Sequence, residues 1–352
     1  MALSVIVWEI ILRALIVVPI PYHHDPALGW MPVPHSTGLY TLEGRGVCAY
    51  NERGFRGAAI GPKRPGEIRI AAIGDSYTEG QQMDIEYTFP YRLEEILSAP
   101  STSTSSDDGD RPRVRVFNAG RGATSPLYYI ALADTYRQIF EPDWVVIVLH
   151  DENWQQLFDR SFEFSCRPTG DGFVIDEHWL WPRKSRLMRM LLSLGVREIA
   201  CCQYAFNRLS TIAAQRSMTT IESPAEGESP GLTNPPLSST EINALDWVVA
   251  RLAECYPRLV IVHTRAPYSP AGTPRPASEY ERLLGASCER HGVPFLPMRE
   301  CLIDDYQRSG KPSFGFANTM PWTGHPNARG HEQVARALAN FFATRLKAER
   351  AQ

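Results

Sequence analysis

The chain reads as an α/β domain, a parallel β-sheet covered by helices on both sides. Three observations predict it: short apolar runs bounded by turn residues, helix-length segments alternating with them, and a length of 352 residues, enough to bury a substantial core. The runs are Ile68 to Ile73, Val114 to Phe117, Trp144 to Leu149, Leu259 to Val262 and Val293 to Leu296, each bounded by Gly, Pro, Asn or charged residues. Short β-branched and apolar runs of this kind read as strands buried on both faces. Helices are expected between them at about 87–98, 125–140, 196–216, 240–256 and 278–291, with a last one at about 328–347. Sheets of this kind bind ligands at the carboxyl ends of their strands.

The remaining segments follow in chain order. Residues 3–20, LSVIVWEIILRALIVVPI, are the most apolar stretch, interrupted by Glu9 and Arg13. Their spacing of four lets the two pair on one helical face, so the segment reads as a helix that either docks on its own domain or associates with a membrane. No basic residue precedes it and no small-residue cleavage site follows, unlike a signal peptide. Residues 21–66, rich in Pro, Gly, His and aromatics without helical period, suggest an irregular or β-containing extension. The main domain then runs over 67–348, with insertions at 99–112, 155–195 and 217–239. The first and last of these are too polar to repay ordering and are expected as surface loops.

Composition excludes several functions. Lys and Arg number 36 against 39 Asp and Glu, a net charge of −3 that supplies no field for a nucleic-acid backbone. Seven cysteines, odd in number and without zinc spacing, make neither a disulfide framework nor a structural metal. His23, His24 and Asp25 are neighbours on what is expected to be extended chain, so they point to opposite sides and do not share a metal. No Gly-rich phosphate loop of Walker or dinucleotide type is present, and no cofactor is implied.

The chemistry concentrates in IRIAAIGDSYTEG, residues 68–80, where a buried strand ends at Gly74 and delivers Ser76 to its carboxyl end. A serine hydroxyl is a weak nucleophile until a base takes its proton, so a functional Ser76 requires a histidine from elsewhere; alone, Ser76 is equally a helix cap. With three further blocks the chain resembles the SGNH, or GDSL, hydrolases. GDSYTEG at 74–80 is similar to that family's first block, with Tyr77 where Leu is usual. VFNAGRGA at 116–123 is similar to the second, VVIVLHDENW at 145–154 to the third, although the usual flanking Gly and Asp are absent, and TGHPNARGH at 323–331 to the last. The stretch NERGFRG at 51–57 resembles the extension of bacterial members that carry an N-terminal hydrophobic helix.

The resemblance implies a flavodoxin-like three-layer α/β/α sandwich around a five-stranded parallel sheet. It implies Ser76 as nucleophile, His325 as general base and then acid, and an oxyanion hole from the backbone N–H groups of Ser76 and Gly120 with the Asn153 side-chain amide. Such donors, fixed before charge appears, suit acyl transfer. Taken alone, Gly120 is a turn residue and Asn153 a turn or cap residue. The family's Asp, two or three residues before the histidine, is absent: Trp322 and Thr323 stand there. A backbone carbonyl holding the ring, another carboxylate such as Asp304, Asp305 or Asp151, or loss of activity are the three accounts. His331 is expected to be structural, Asp75 to fix the turn before Ser76, and His150, Asp151 and Glu152 to form a solvated loop or line the pocket.

The expected activity is a serine esterase that removes an acyl group, acetyl among the candidates, from an alcohol or carbohydrate through an acyl-Ser76 intermediate. The alternatives are an acyltransferase acting on a polysaccharide and a degenerate SGNH domain that binds glycan. Trp154, Trp179, Trp181 and Trp322 are candidates for stacking on a sugar.

Overall fold

A computed structural model describes residues 20–99, 113–170, 172–178 and 237–350, together with Ser4 and Val7. The extension comes first and carries two antiparallel hairpins: β1 (Tyr22–Asp25) with β2 (Gly29–Pro32), and β3 (Thr37–Tyr40) with β4 (Gly46–Ala49). Its NERGFRG stretch is organised by Asn51, whose Oδ1 accepts the N–H groups of Arg53 and Phe55 at 2.9 and 3.1 Å. Phe55 enters the core against Phe140, and the buried Arg56 guanidinium donates to the carbonyls of Glu79 (3.1 Å), Gly80 and Met83. The extension is thereby fastened to the loop that follows Ser76.

The central sheet is formed by β5 (Ile68–Gly74), β6 (Val114–Gly120), β7 (Trp144–Leu149), β10 (Leu259–His263) and β11 (Phe295–Pro297). All its pairings are parallel, in the order β11-β10-β7-β5-β6, the flavodoxin-like arrangement. A separate hairpin, β8 (Phe164–Thr169) and β9 (Gly172–Glu177), occupies part of the 155–195 insertion. The helices are α1 (Ser76–Glu79), α2 (Phe89–Ser98), α3 (Pro126–Ala131), α4 (Ala133–Phe140), α5 (Asp151–Gln155), α6 (Ser239–Cys255), α7 (Glu279–Arg290), α8 (Arg299–Ser309) and α9 (Ala328–Arg350).

Alternation along the strands makes three layers. Ala71, Ile73, Val145, Ile147 and Ile261 face a core closed by α3, α4, α6 and α7, while Ile70, Ala72, Val146, Val148 and Val260 face one closed by α2, α8 and α9. Since β5 sends the chain to β6 on one side and β7 lies on the other, the carboxyl end of β5 is the switch point where such sheets bind ligands.

Two sequence expectations are corrected. The fifth strand begins at Phe295 rather than Val293, because the Val293 N–H is spent on the Cys288 carbonyl closing α7 (2.8 Å) and Pro294 has no N–H to give. Helix α8 was not expected: it is strongly charged and buries only Leu302 and Asp305, so its apolar period is faint. The expected helix at 196–216, Trp179, Trp181 and the polar loops at 100–112 and 217–236 lie outside the described residues, as does all of 3–19 except Ser4 and Val7. Among the described residues no helix is long and apolar enough to cross a membrane.

Candidate active site

Asp75 ends the turn after β5. Its Oδ1 accepts the Tyr77 N–H at 2.9 Å, which caps α1 and sets Ser76 as the first helical residue. His325 arrives from the loop before α9, and its Nε2 lies 2.8 Å from the Ser76 hydroxyl. The two residues are 249 positions apart in the chain, and the sheet brings them within bonding reach.

The ring's other nitrogen meets Glu43, in the turn between β3 and β4. Nδ1 is bonded to Glu43 Oε2, and the His325 backbone N–H donates to Oε1 at 2.8 Å. A carboxylate can only accept, so Nδ1 carries the proton and Nε2 is left to accept from Ser76. The group that meets Nδ1 is therefore neither a backbone carbonyl nor any of the three aspartates expected. Asp305 binds the Arg329 guanidinium and Gln333, Asp151 binds His263, Ser278 and Arg265, and Asp304 is exposed on α8. Glu43 escaped sequence reasoning because it precedes the hydrolase-like blocks and stands in no motif.

The loop at 322–325 is built to receive that carboxylate. Gly324 has φ +62°, and a Cβ on it would fall 2.2 Å from Glu43 Oε1, so only glycine fits. Trp322 also has positive φ, at 64°, a costly conformation for a large side chain. It is held by burial against Tyr268 and Tyr306, with ring centroids 4.8 and 4.9 Å away. Trp322 thus anchors the loop rather than presenting a face to a sugar, and Trp154 is likewise buried.

His150 and Asp151 do not form a solvated loop. His150 is buried, donates to Asp75 Oδ2 at 2.6 Å and stacks on Tyr77 at 4.2 Å between centroids. Burial by itself raises the Asp75 carboxyl, but the His150 charge and the hydrogen bonds from His150, Tyr77 and Asn153 outweigh it and hold it below the usual carboxylate range. Burial likewise depresses His150, and Asp75 outweighs it, so the imidazole is raised. His331 is buried on α9, where its Nδ1 accepts the Phe89 N–H at 3.0 Å. Burial first, and then the positive charge of Arg56, push it down to about 3, so it stays neutral and joins α9 to α2.

The expected oxyanion donors are placed differently. The Gly120 N–H is spent on Asn118 Oδ1 at 3.0 Å. Gly120 lacks a side chain for another reason: a Cβ there would lie 2.3 Å from the Glu79 nitrogen, so α1 could not pack on β6. Asn153 is fully buried, its amide donating to Asp75 at 2.9 Å and its Oδ1 accepting the His150 N–H at 2.8 Å. Among the described residues no acceptor lies on the N–H of Ser76 or of Ala123. Ala123 is exposed and has φ +60°, in the turn after β6. That turn borders Ser76, since a Cβ on Gly122 would stand 3.9 Å from the Ser76 Cβ.

Among the described residues no group of three or more His, Cys, Asp or Glu is arranged to hold a metal ion. No family model and no curated protein matches the chain. Among solved structures it is similar to an alpha/beta hydrolase enzyme from the metagenome of Lake Arreo, Spain, at 16% identity, covering 77% of this chain and 93% of that one, with a TM-score of 0.38. It is also similar to an acetylxylan esterase from Geobacillus stearothermophilus (12% identity, 78% and 93% coverage, TM-score 0.41) and a lipase/acylhydrolase from Enterococcus faecalis (11%, 79% and 96%, 0.41). All three likenesses are distant.

Proposed function

We propose that the protein is a serine esterase working through a Ser76–His325–Glu43 triad. One observation carries this reading: an imidazole bonded on one side to a hydroxyl at the carboxyl end of the sheet and on the other to a carboxylate. That is the arrangement of an activated nucleophile and its oriented base. His325 takes the Ser76 proton as Oγ attacks the ester carbonyl. Glu43 holds the tautomer and stabilises the imidazolium that forms. The tetrahedral oxyanion is met by the N–H groups of Ser76 and Ala123, both without an acceptor among the described residues, in place of Gly120 and Asn153. His325 then returns the proton to the leaving alcohol, and water, activated by the same ring, releases the acyl-Ser76 ester.

The substrate is an acyl ester of an alcohol or carbohydrate, with acetyl as the acyl group to test first. Fluorophosphonate labelling of the folded protein followed by adduct mapping tests the nucleophile, and p-nitrophenyl acetate tests turnover. Wild type is expected to carry the adduct on Ser76, and Ser76→Ala and His325→Ala to lose turnover. An unlabelled Ser76, or either variant at the wild-type rate, would end the assignment. Product that forms only when a sugar acceptor is added would indicate transfer in place of hydrolysis.

A further inference from the structure

Glu79 closes α1 and is buried, yet its carboxylate faces no cation within ion-pair distance among the described residues. Neutral donors hold it. Oε2 accepts the Gly122 N–H at 2.7 Å, and Oε1 accepts the Tyr50 hydroxyl at 3.1 Å and the Gln81 amide at 2.5 Å. Gln81 in turn reaches the Tyr22 hydroxyl at 2.7 Å. Burial outweighs these hydrogen bonds and the charge of Arg56 and raises this carboxyl above its usual range, so the arrangement costs stability. The Arg56 guanidinium binds the Glu79 backbone carbonyl at 3.1 Å and leaves the carboxylate to the turn.

What the carboxylate holds is the turn that borders Ser76. The turn is pinned on its other side by the Arg121 N–H, which donates to the Gly74 carbonyl at 2.9 Å, and by Thr124 Oγ1, which donates to the Arg121 carbonyl at 2.7 Å. Between these ties, Ala123 sits in a left-handed conformation that non-glycine residues adopt only when their surroundings enforce it. The Glu79 bond to Gly122 acts one residue earlier, on the peptide that sets the direction of the Ala123 N–H.

We propose that Glu79 is a positioning residue for the oxyanion hole: through Gly122 it fixes the turn that aims the Ala123 N–H at the Ser76 carbonyl adduct, and Tyr22 and Tyr50 of the extension hold Glu79 in place. The proposal rests on the esterase reading above. It gives the extension a second contact with the site besides Glu43, and it accounts for a buried carboxylate that the triad does not use.

The experiment compares Glu79→Leu, which has no acceptor for Gly122, with Glu79→Gln, whose amide oxygen still accepts that N–H. Measured are kcat and KM for p-nitrophenyl acetate, the inhibition constant of a trifluoromethyl ketone that adds to Ser76, and the thermal midpoint. Glu79→Leu is expected to lose about 10²- to 10³-fold in kcat, the cost of one oxyanion donor, with KM within about twofold and a parallel loss in ketone affinity. Glu79→Gln is expected to stay within about tenfold of wild type in both. Should Glu79→Leu fail to fold, Tyr50→Phe, which removes one of the two donors on Oε1, is expected to lower kcat and ketone affinity together by a smaller factor. Wild-type kcat in Glu79→Leu, or in Tyr50→Phe if that is the variant read, overturns the proposal. So does a Glu79→Gln as impaired as Glu79→Leu, or a kcat loss with ketone affinity unchanged. An inactive wild type would instead overturn the esterase reading, which separates the two failures.

Discussion

Replacing Glu43 by glutamine probes the one member of the site that no motif announces. The carboxylate accepts two N–H donors of His325, the ring Nδ1 on one oxygen and the backbone N–H on the other. An amide has one oxygen, so glutamine either abandons the backbone donor or turns its NH₂ toward Nδ1. In the second case the ring proton moves to Nε2, the atom that must accept from Ser76, and the base is blocked. Neutralising the orienting carboxylate in serine-protease chemistry lowers turnover by about 10⁴, which corresponds to about 5 kcal/mol in the barrier. Glu43→Gln is therefore expected to lower kcat on p-nitrophenyl acetate by about 10³- to 10⁴-fold, with the thermal midpoint close to wild type. Asp304→Asn, at an exposed carboxylate on α8, serves as control and is expected to be neutral. A Glu43→Gln rate within about tenfold of wild type would show that His325 needs no carboxylate here and would refute the triad.

Two further outcomes follow from the same geometry. Gly324→Ala puts a methyl group 2.2 Å from Glu43 Oε1 at a φ of +62°, so the acid must move. A kcat loss of about 10²-fold is expected from misplacement on the order of 1 Å, measured beside the circular-dichroism melt, and an unchanged rate would mean that the loop yields without disturbing the acid. The buried His150–Asp75 pair makes stability depend on pH at both ends. His150 is raised, so its contribution is complete below the ordinary histidine range and is lost as pH climbs through the raised value. Asp75 is lowered, so its contribution is complete above the ordinary carboxylate range and is lost as pH falls through the depressed value. The urea midpoint of wild type should accordingly fall between neutral and alkaline pH more steeply than that of His150→Gln. Parallel profiles would show that the pair carries no such linkage.

The sheet was legible because its strands are apolar on both faces. Runs such as Ile68 to Ile73 and Trp144 to Leu149 need helices above and below them, and local composition records that need directly. Ser76 and His325 stood out through the resemblance of their blocks to those of SGNH hydrolases, and the structure brings the two side chains within 2.8 Å. Helix α8 was not, since its burial is slight, and the 293–296 run misplaced the strand start because the Val293 N–H is taken by the end of α7.

The donor set shows where local patterns stop. Gly120 and Asn153 match positions in a block, but whether a polar group is open or spent depends on its partner. Asn118 and His150 supply theirs from two and three residues away, while Asp75 reaches Asn153 from 78 positions along the chain. A carboxylate has no periodicity, and its role is set by what lies within about 3 Å of it. By itself, then, the sequence determined the layers of the fold, which follow from short-range patterns of apolar and turn residues, while the resemblance of two blocks singled out Ser76 and His325. Only the tertiary structure decided that Glu43, from a hairpin outside the sheet and 282 residues before His325, meets the ring, and that Glu79 lies beneath the Gly122 turn. Such contacts arise from the packing of separate elements, and no local rule registers them.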